Sequence, residues 1–466
     1  MQKSKLIELL SSLDNREFRS LQQLVASAYY NRNPEVIRLL EWLNSIRPDF
    51  SGLERNAAMN AVFPGEPADD ARLNHTMSFL LKLAEEWITQ EQFGKEPNLF
   101  KHWMLRGLNE RGLDKHYEFH LEKARRAMAA ELRPGSRHFY QKFALEIYEA
   151  ERFVQRSPRQ FNESVQTATD NLDAFYLIEK LRRTCYMYAS QAVVATPYQL
   201  QLVEEICRFV GNHLADLPSP AIEAYYRIFQ LLSKPQADAD FDALKRLLGE
   251  SSDRISLEDQ ADIYQYAINF CNIQIMHGRE TYEEEAFQLY LTTLESGILL
   301  VSGKLSPWHF KNMINLALRL HRFEWAEAFI ASNTGLLSQE FQQDALHFNL
   351  ALVYYTTGRL DEAMNHLQMV EFTDVHYSIS AKAMLCQIFY QKDQYDALDS
   401  ALHAFETYLR RNKLLAENTR AGYLNFTSAL KKLLRTPASK WPQLRTELGQ
   451  IRILPAREWL MKIMEQ

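Results

Sequence analysis

At 466 residues the chain exceeds what one compact core serves, and it would split into several domains unless repeats pack only on their neighbours. A hydrophobic share of 46% excludes a disordered chain, and 15 Gly with 15 Pro, about 3% each, are too few for the turns of a sheet protein. A formal charge of −6 argues against a general nucleic-acid binder, which needs a positive field along the phosphates.

The predicted elements are helices on short loops. Asp14 ahead of Asn15-Arg16-Glu17 matches a capping box, and Phe18, Leu21, Leu24 and Val25 follow at helical spacing. Asn31-Arg32-Asn33-Pro34 stops that segment, and Pro34 opens a helix with Leu39, Leu40, Leu43 and Ile46 as its apolar stripe. After the turn Pro64-Gly65-Glu66-Pro67, a helix is predicted from about Asp69 to Gln90, with Leu73, Met77, Leu80, Leu81, Leu83, Ala84 and Trp87 inward. Two helices about that turn give residues 51–92 the spacing of a helix-turn-helix. The second helix carries Arg72, His75 and Lys82 against Glu85 and Glu86, so an ordinary helical hairpin is expected over a DNA reader. Long amphipathic stretches then run to about residue 232, broken at Arg133-Pro134-Gly135, Thr196-Pro197 and Leu217-Pro218-Ser219-Pro220. Lys234-Pro235-Gln236-Ala237-Asp238 is the candidate linker. The expected organisation is an N-terminal helical domain over 1–95, degenerate helical hairpins over 96–235, repeats over 236–434 and capping helices over 435–466.

A repeat emerges in the C-terminal half when His321-Arg322-Phe323-Glu324-Trp325-Ala326, Gly358-Arg359-Leu360-Asp361-Glu362-Ala363 and Asp393-Gln394-Tyr395-Asp396-Ala397-Leu398 are aligned. Registers 326 to 363 and 363 to 398 are 37 and 35 residues, close to a period of about 34. In the middle unit Leu350, Ala351, Tyr354, Gly358, Leu360, Ala363 and Leu367 resemble the pattern of the tetratricopeptide repeat, which wants Leu, a small residue, Tyr, Gly, an apolar residue, Ala and an apolar residue at those positions. Ala351 and Ala363 permit close approach, and Gly358 permits a left-handed turn. The third unit has Cys386 and Leu398 at the small sites and Asp393 for the Gly; the first has Ile314 and no Gly. An earlier pair, Tyr264 to His277 and Tyr282 to Leu294 across Gly278, fits the hairpin shape. These residues resemble the tetratricopeptide (TPR) repeat, clearly over 340–410 and more loosely over 256–340. The whole chain also resembles a group of bacterial TPR-like helical proteins without assigned activity. The expected fold class is all-α, an α-solenoid of antiparallel helix pairs with an N-terminal helical domain.

The residues offer little chemistry. Gly297 to Lys304 echoes a phosphate-binding loop, but five residues separate its glycines and Leu305 replaces the magnesium-holding Ser or Thr. His116 and His120 lie four apart on a helix, yet Tyr117 stands where a zinc protease needs Glu, and Glu118 points across the helix. Cys185, Cys207, Cys271 and Cys386 form no C-x-x-C pair, which suits thiols in a reducing compartment. The first 18 residues lack the continuous apolar core of a signal peptide, and Gly297-Ile298-Leu299-Leu300-Val301 is too short to span a bilayer. The expectation is therefore a cytoplasmic, non-enzymatic protein without metal or cofactor, with no nucleic acid, membrane or small-molecule substrate. Its partner would be a protein or peptide; a nucleic-acid-associated regulator using residues 51–92 is the alternative.

The TPR resemblance implies a groove lined by the first helix of each pair. Its predicted residues are Lys311, Asn315 and Arg319 in the first unit, Phe348, Asn349, Leu352 and Tyr355 in the second, and Gln387 and Tyr390 in the third. Lys311, Asn315 and Asn349 fall where the carboxylate-clamp subgroup grips a peptide's terminal carboxylate, while Ser380 and Met384 replace that subgroup's Lys and Arg. Charge is uneven: residues 236–300 hold 13 acids and 4 bases, and residues 405–466 hold 12 bases and 5 acids. Solvated helix faces of opposite sign account for this simply; a molecule whose acidic middle and basic end orient a partner is the sharper reading.

Overall fold

The computed structural model describes residues 4–67, 69–95, 97–156, 160–194, 197–234, 237–370, 375–412 and 415–465. The structure is all-α, about 78% helical, with 23 α-helices and one two-stranded hairpin among the described residues. Thr196, and Pro235 with Gln236 of the expected linker, lie outside those residues. The chain divides into two compact units, one of residues 1–132 with 136–176 and one of 133–135 with 177–466.

The first unit holds α1 (Lys5–Ser11), α2 (Asn15–Ala26), α3 (Pro34–Ser45), α4 (Arg55–Val62), α5 (Asp70–Gly94), α6 (Pro97–Glu110), α7 (Asp114–Ala129), α8 (Ser136–Arg156) and the start of α9 (Glu163–Val194). Local rules place the first helices. Asp14 Oδ1 accepts from the Arg16 and Glu17 amides at 2.7 and 2.8 Å, and Glu17 accepts from the Asp14 amide at 3.0 Å, completing the capping box. Asn33 caps α3, with Pro34 in its first turn. The long α5 is the spine of this region, packing on α1, α2 and α3 through Leu73, Met77, Leu80, Leu83, Ala84 and Trp87. Helices α6 and α7 form a hairpin whose Leu105, Tyr117, Leu121, Ala124 and Met128 share a core with Leu145 of α8. Arg152, buried, lies 3.9 Å over the Tyr117 ring and donates to Asp114 at 2.7 Å.

The second unit holds the rest of α9, then α10 (Val203–Asn212), α11 (Pro220–Ser233), α12 (Asp238–Ser251), α13 (Leu257–Met276), α14 (Thr281–Glu295), α15 (Pro307–Arg319), α16 (Phe323–Asn333), α17 (Gln339–Thr356), α18 (Leu360–Gln368), α19 (Val375–Gln391), α20 (Tyr395–Arg411), α21 (Glu417–Arg435), α22 (Trp441–Gly449) and α23 (Arg457–Ile463). Helices pack in consecutive pairs: α11 on α12, α13 on α14, α15 on α16, α17 on α18 and α19 on α20. First helices also meet along the series, α11 with α13, α15 with α17 and α17 with α19.

One turn recurs within four of these pairs. Gly278, His321, Gly358 and Asp393 all adopt left-handed backbone, with φ of 82°, 56°, 78° and 55°. In each, the next amide donates to the carbonyl five residues back, at 3.0, 2.8, 2.8 and 2.9 Å, closing the preceding helix as a Schellman turn does. The units without glycine thus make the same turn with His321 and Asp393, at some backbone cost. The aligned positions Ala326, Ala363 and Leu398 are fully buried, as are Ile314, Ala351 and Cys386.

The Gly297–Lys304 segment forms the only strand pair among the described residues, Leu300 opposite Leu305 and Val301 opposite Lys304. Ser302 and Gly303, at φ 51° and 74°, make its two-residue turn. In a phosphate loop the Lys opens the helix, whereas here Lys304 is paired with Val301 in a strand and Ser306 caps α15 after it, so the phosphate-loop echo has no structural counterpart.

Candidate functional site

The nine predicted groove residues separate into three settings. On α15, Lys311 is half-buried, its ammonium 5.0 Å from the Phe348 ring centre, 5.8 Å from that of Tyr377 and 3.5 Å from Ser380 Oγ. The first helices of three successive pairs therefore do converge here, but on one another. Phe348 is 2% exposed and Asn349 fully buried, which corrects their expected place on an open groove. The physical reason is that α17 is flanked on both sides, by α15 and α19, so this face becomes an inter-helix seam. Asn349 Nδ2 donates to the Ala345 carbonyl at 2.7 Å, and its Oδ1 has no hydrogen-bond partner among the described residues. Asn315 and Leu352 are half-buried.

Arg319, one helical turn beyond Asn315, is committed elsewhere. Its Nε donates to Glu283 Oε1 of α14 at 2.6 Å, and Glu283 is 7% exposed. Neighbouring Arg322 holds Glu284 at 2.8 Å. These pairs explain the acidic run over 236–300. Asp238 meets Arg279, Asp240 meets Arg227, Asp262 and Glu258 meet Arg182, and Glu285 meets Lys245, at 2.6 to 2.9 Å. Four of the bases, Arg182, Arg227, Arg319 and Arg322, come from outside the run and offset four of its nine excess negative charges.

The third setting is open. Tyr355 is half-buried on α17, and its hydroxyl accepts from Gln391 Nε2 of α19 at 3.0 Å; burial pushes its phenol up to about 12. Gln391 and Tyr390 line a cleft of about 880 Å³ where the α19–α20 turn faces α22 and α23, and Gln387 is half-buried one turn before Gln391. Its aromatic walls are Tyr390, Tyr395, Trp441 and Trp459. The Tyr390 ring stands edge-on to Trp459 at 5.5 Å and to Tyr395 at 6.4 Å. The rings are fixed from behind: Tyr395 donates to Asp393 at 2.7 Å, and Trp441 Nε1 donates to the Thr436 carbonyl at 3.0 Å. Burial raises the Tyr390 phenol, and the hydrogen bond to Asp393 raises that of Tyr395, away from general-base service near neutrality. Tyr395 is 50% exposed, and Lys462 stands at the rim.

Beyond Thr436 a second opening of about 430 Å³ lies between α20 and α21, lined by Arg410, Lys431, Lys432 and Arg435 with Glu406, Leu424 and Ser428. Lys431 holds Glu406 at 2.8 Å, and Lys432 pairs with Glu447. Burial would raise the Glu406 carboxyl, but Lys431 outweighs it and holds it below the usual carboxylate range. Arg410 and Arg435 have no carboxylate at ion-pair distance among the described residues. Neither the cleft nor this opening was legible in the sequence, except through the basic surplus and the isolated Tyr390.

Two other sites take a plain form. Arg72 of α5 is engaged by Glu35 and Glu66 and lies 4.3 Å over Phe63, and Arg55 meets Asp70 at 2.5 Å, so the bases of residues 51–92 are largely spent within the first unit. His116 is exposed and His120 half-buried on α7, and no group of three His, Cys, Asp or Glu able to hold a metal occurs among the described residues. No helix among them is long and apolar enough to cross a membrane. No protein-family profile matches the sequence, and no curated protein or solved structure shows significant similarity to it.

Proposed function

We propose that the chain is a non-enzymatic protein-interaction scaffold. Its second unit would stack helix pairs as a solenoid of the TPR kind and seat a segment of a partner protein in the aromatic cleft at its C-terminal end. The recurrent left-handed turn and the buried small residues at Ala326 and Ala363 support the repeat. The observation that carries the binding role is the cleft itself: four large rings, held by hydrogen bonds and edge contacts, around an open volume of about 880 Å³. Tyr and Trp supply contact area at little entropic cost, which is why such rings anchor interfaces and why aromatic grooves take extended prolyl or aromatic segments. The cytoplasm is the compartment this reading favours, with Cys185, Cys271 and Cys386 present as buried thiols and Cys207 as a half-buried one.

Selection of a random peptide library on the intact protein tests the reading. Cleft-dependent peptides should emerge, and Trp459→Ala and Tyr395→Ala should each weaken them about tenfold or more, on the scale of an aromatic anchor. Tyr395 is half exposed, so its variant keeps the fold even if Trp459→Ala perturbs the C-terminal helices. Peptides that bind both variants as well as the parent would remove the cleft as the seat.

A further inference from the structure

Resting on that reading, we infer the chemistry of the partner: an acidic extended segment. It would cross the 436–441 turn, set an aromatic or prolyl side chain in the cleft and place its carboxylates in the opening beside Arg410 and Arg435. Three observations lead there. The two openings share a wall, because Thr436 lines one, Trp441 lines the other, and the Trp441 indole donates to the Thr436 carbonyl at 3.0 Å. A segment leaving the cleft over this turn meets the basic opening next.

The charge of the acidic middle and of the basic C-terminal segment is decided differently. Acids over 236–300 find arginines from neighbouring helices, whereas residues 405–466 keep 12 bases against 5 acids, and three of those acids are used by Lys431, Lys432 and Arg445. Four bases and one acid line the opening. A positive helix-end side chain is commonly explained by the helix dipole, and Arg410, Lys432 and Arg435 do sit in last turns. That accounts for each one singly. It does not account for two helices turning them, with Lys431, toward one opening next to an aromatic cleft.

The chemistry of the donors then selects the ligand. Arg410 and Arg435 are planar forks suited to bidentate carboxylate recognition, while Lys431 and Lys432 are each already paired with a carboxylate. Leu424 and Ser428 also line the opening and make its surface part apolar and part hydroxyl, which suits a carboxylate side chain arriving on an aliphatic stem. Such a pairing steers encounter and depends on salt.

The test uses fluorescein-labelled peptides of about twelve residues, roughly 40 Å when extended, each with one Trp-Pro pair followed by a run of Glu, of Gln or of Lys. Binding to the full chain is followed by anisotropy at low and high salt. The Glu peptide should bind about tenfold or more tighter than the Gln peptide, and the Lys peptide weakest. Arg410→Gln with Arg435→Gln should abolish the Glu preference without moving the Gln peptide, and Arg410→Glu with Arg435→Glu should turn the preference toward Lys. Equal binding of the three peptides, still lost in Tyr395→Ala, overturns the acidic partner while leaving the cleft in place. Failure of all three overturns the acidic segment too, and an empty library selection would then take the cleft with it. Tighter retention of a thymidine oligonucleotide of similar length than of the Glu peptide would reassign the surface to single-stranded nucleic acid and refute the inference.

Discussion

Replacing Arg319 by Ala removes the guanidinium that donates to Glu283 at 2.6 Å. The carboxylate is nearly buried, at 7% exposed, whereas the Arg319 side chain is 53% exposed, and this asymmetry sets the magnitude. Two unit charges about 4 Å apart gain about 4 kcal/mol at the effective dielectric of a protein surface, before desolvation and entropy are charged against it. Exposed pairs retain at most about 1 kcal/mol, and breaking a fully buried pair costs about 3–5 kcal/mol. A buried acid with a half-solvated partner lies between, so Arg319→Ala should cost about 1.5–2.5 kcal/mol. Glu283→Gln removes the charge that needs the partner. In that background Arg319→Ala should cost about 0.5 kcal/mol or less, a coupling of at least about 1 kcal/mol across the cycle. Urea unfolding followed by tryptophan fluorescence reads both numbers, and the midpoint temperature of Arg319→Ala should fall by several degrees. Additive costs, with no coupling between the two sites, would show that Glu283 is solvated without Arg319 and that the pair does not join α14 to α15.

Ala363 is fully buried between α18 and its neighbours, so Ala363→Glu must bury an uncompensated carboxylate in a space made for a methyl group; a loss above about 3 kcal/mol is expected by urea unfolding, and a neutral result would move the repeat register. His321 spends its left-handed φ of 56° without the freedom of glycine, so His321→Gly should stabilise by about 0.5–1 kcal/mol in the same assay, and destabilisation would mean the side chain contributes more than the backbone costs. Burial and the His347 ring, whose Nδ1 lies 3.0 Å from that of His366, lower the His366 pKa below its usual 6.5, with Glu362 acting the other way and the Tyr354 ring tilted against it at 5.4 Å. The unfolded chain then binds this proton more readily. Stability from His366 is present above about pH 6.5 and is lost as pH falls from there toward the lowered value, so thermal melts from pH 7.5 to pH 5 should fall less steeply in His366→Gln than in the parent. Parallel slopes would contradict the linkage.

What the sequence determined by itself is what short-range chemistry controls. Asp14 and Glu17 cap α2 because the partners are three residues apart, and Pro34 starts α3 because its missing amide costs nothing there. The all-α class follows from apolar periodicity, which a helix reads locally, and Ala326, Ala363 and Leu398 are buried as apolar residues on helix faces. Helix faces that meet other helices are less legible. Phe348 and Asn349 sit at positions open to solvent in a two-helix hairpin, yet α15 and α19 close over them, and only the neighbours decide that. His321 and Asp393 look like ordinary polar residues until the hairpin closes and forces the left-handed turn that Gly358 adopts freely. Charge behaves in the same way, because a run of acids counts as −9 along the chain but meets Arg182, Arg227, Arg319 and Arg322 across space. The cleft is the extreme case. Tyr390 and Tyr395 stand about a turn apart in sequence, but Trp441 and Trp459 arrive from dozens of residues away, and no local period encodes a wall assembled from four separate helices.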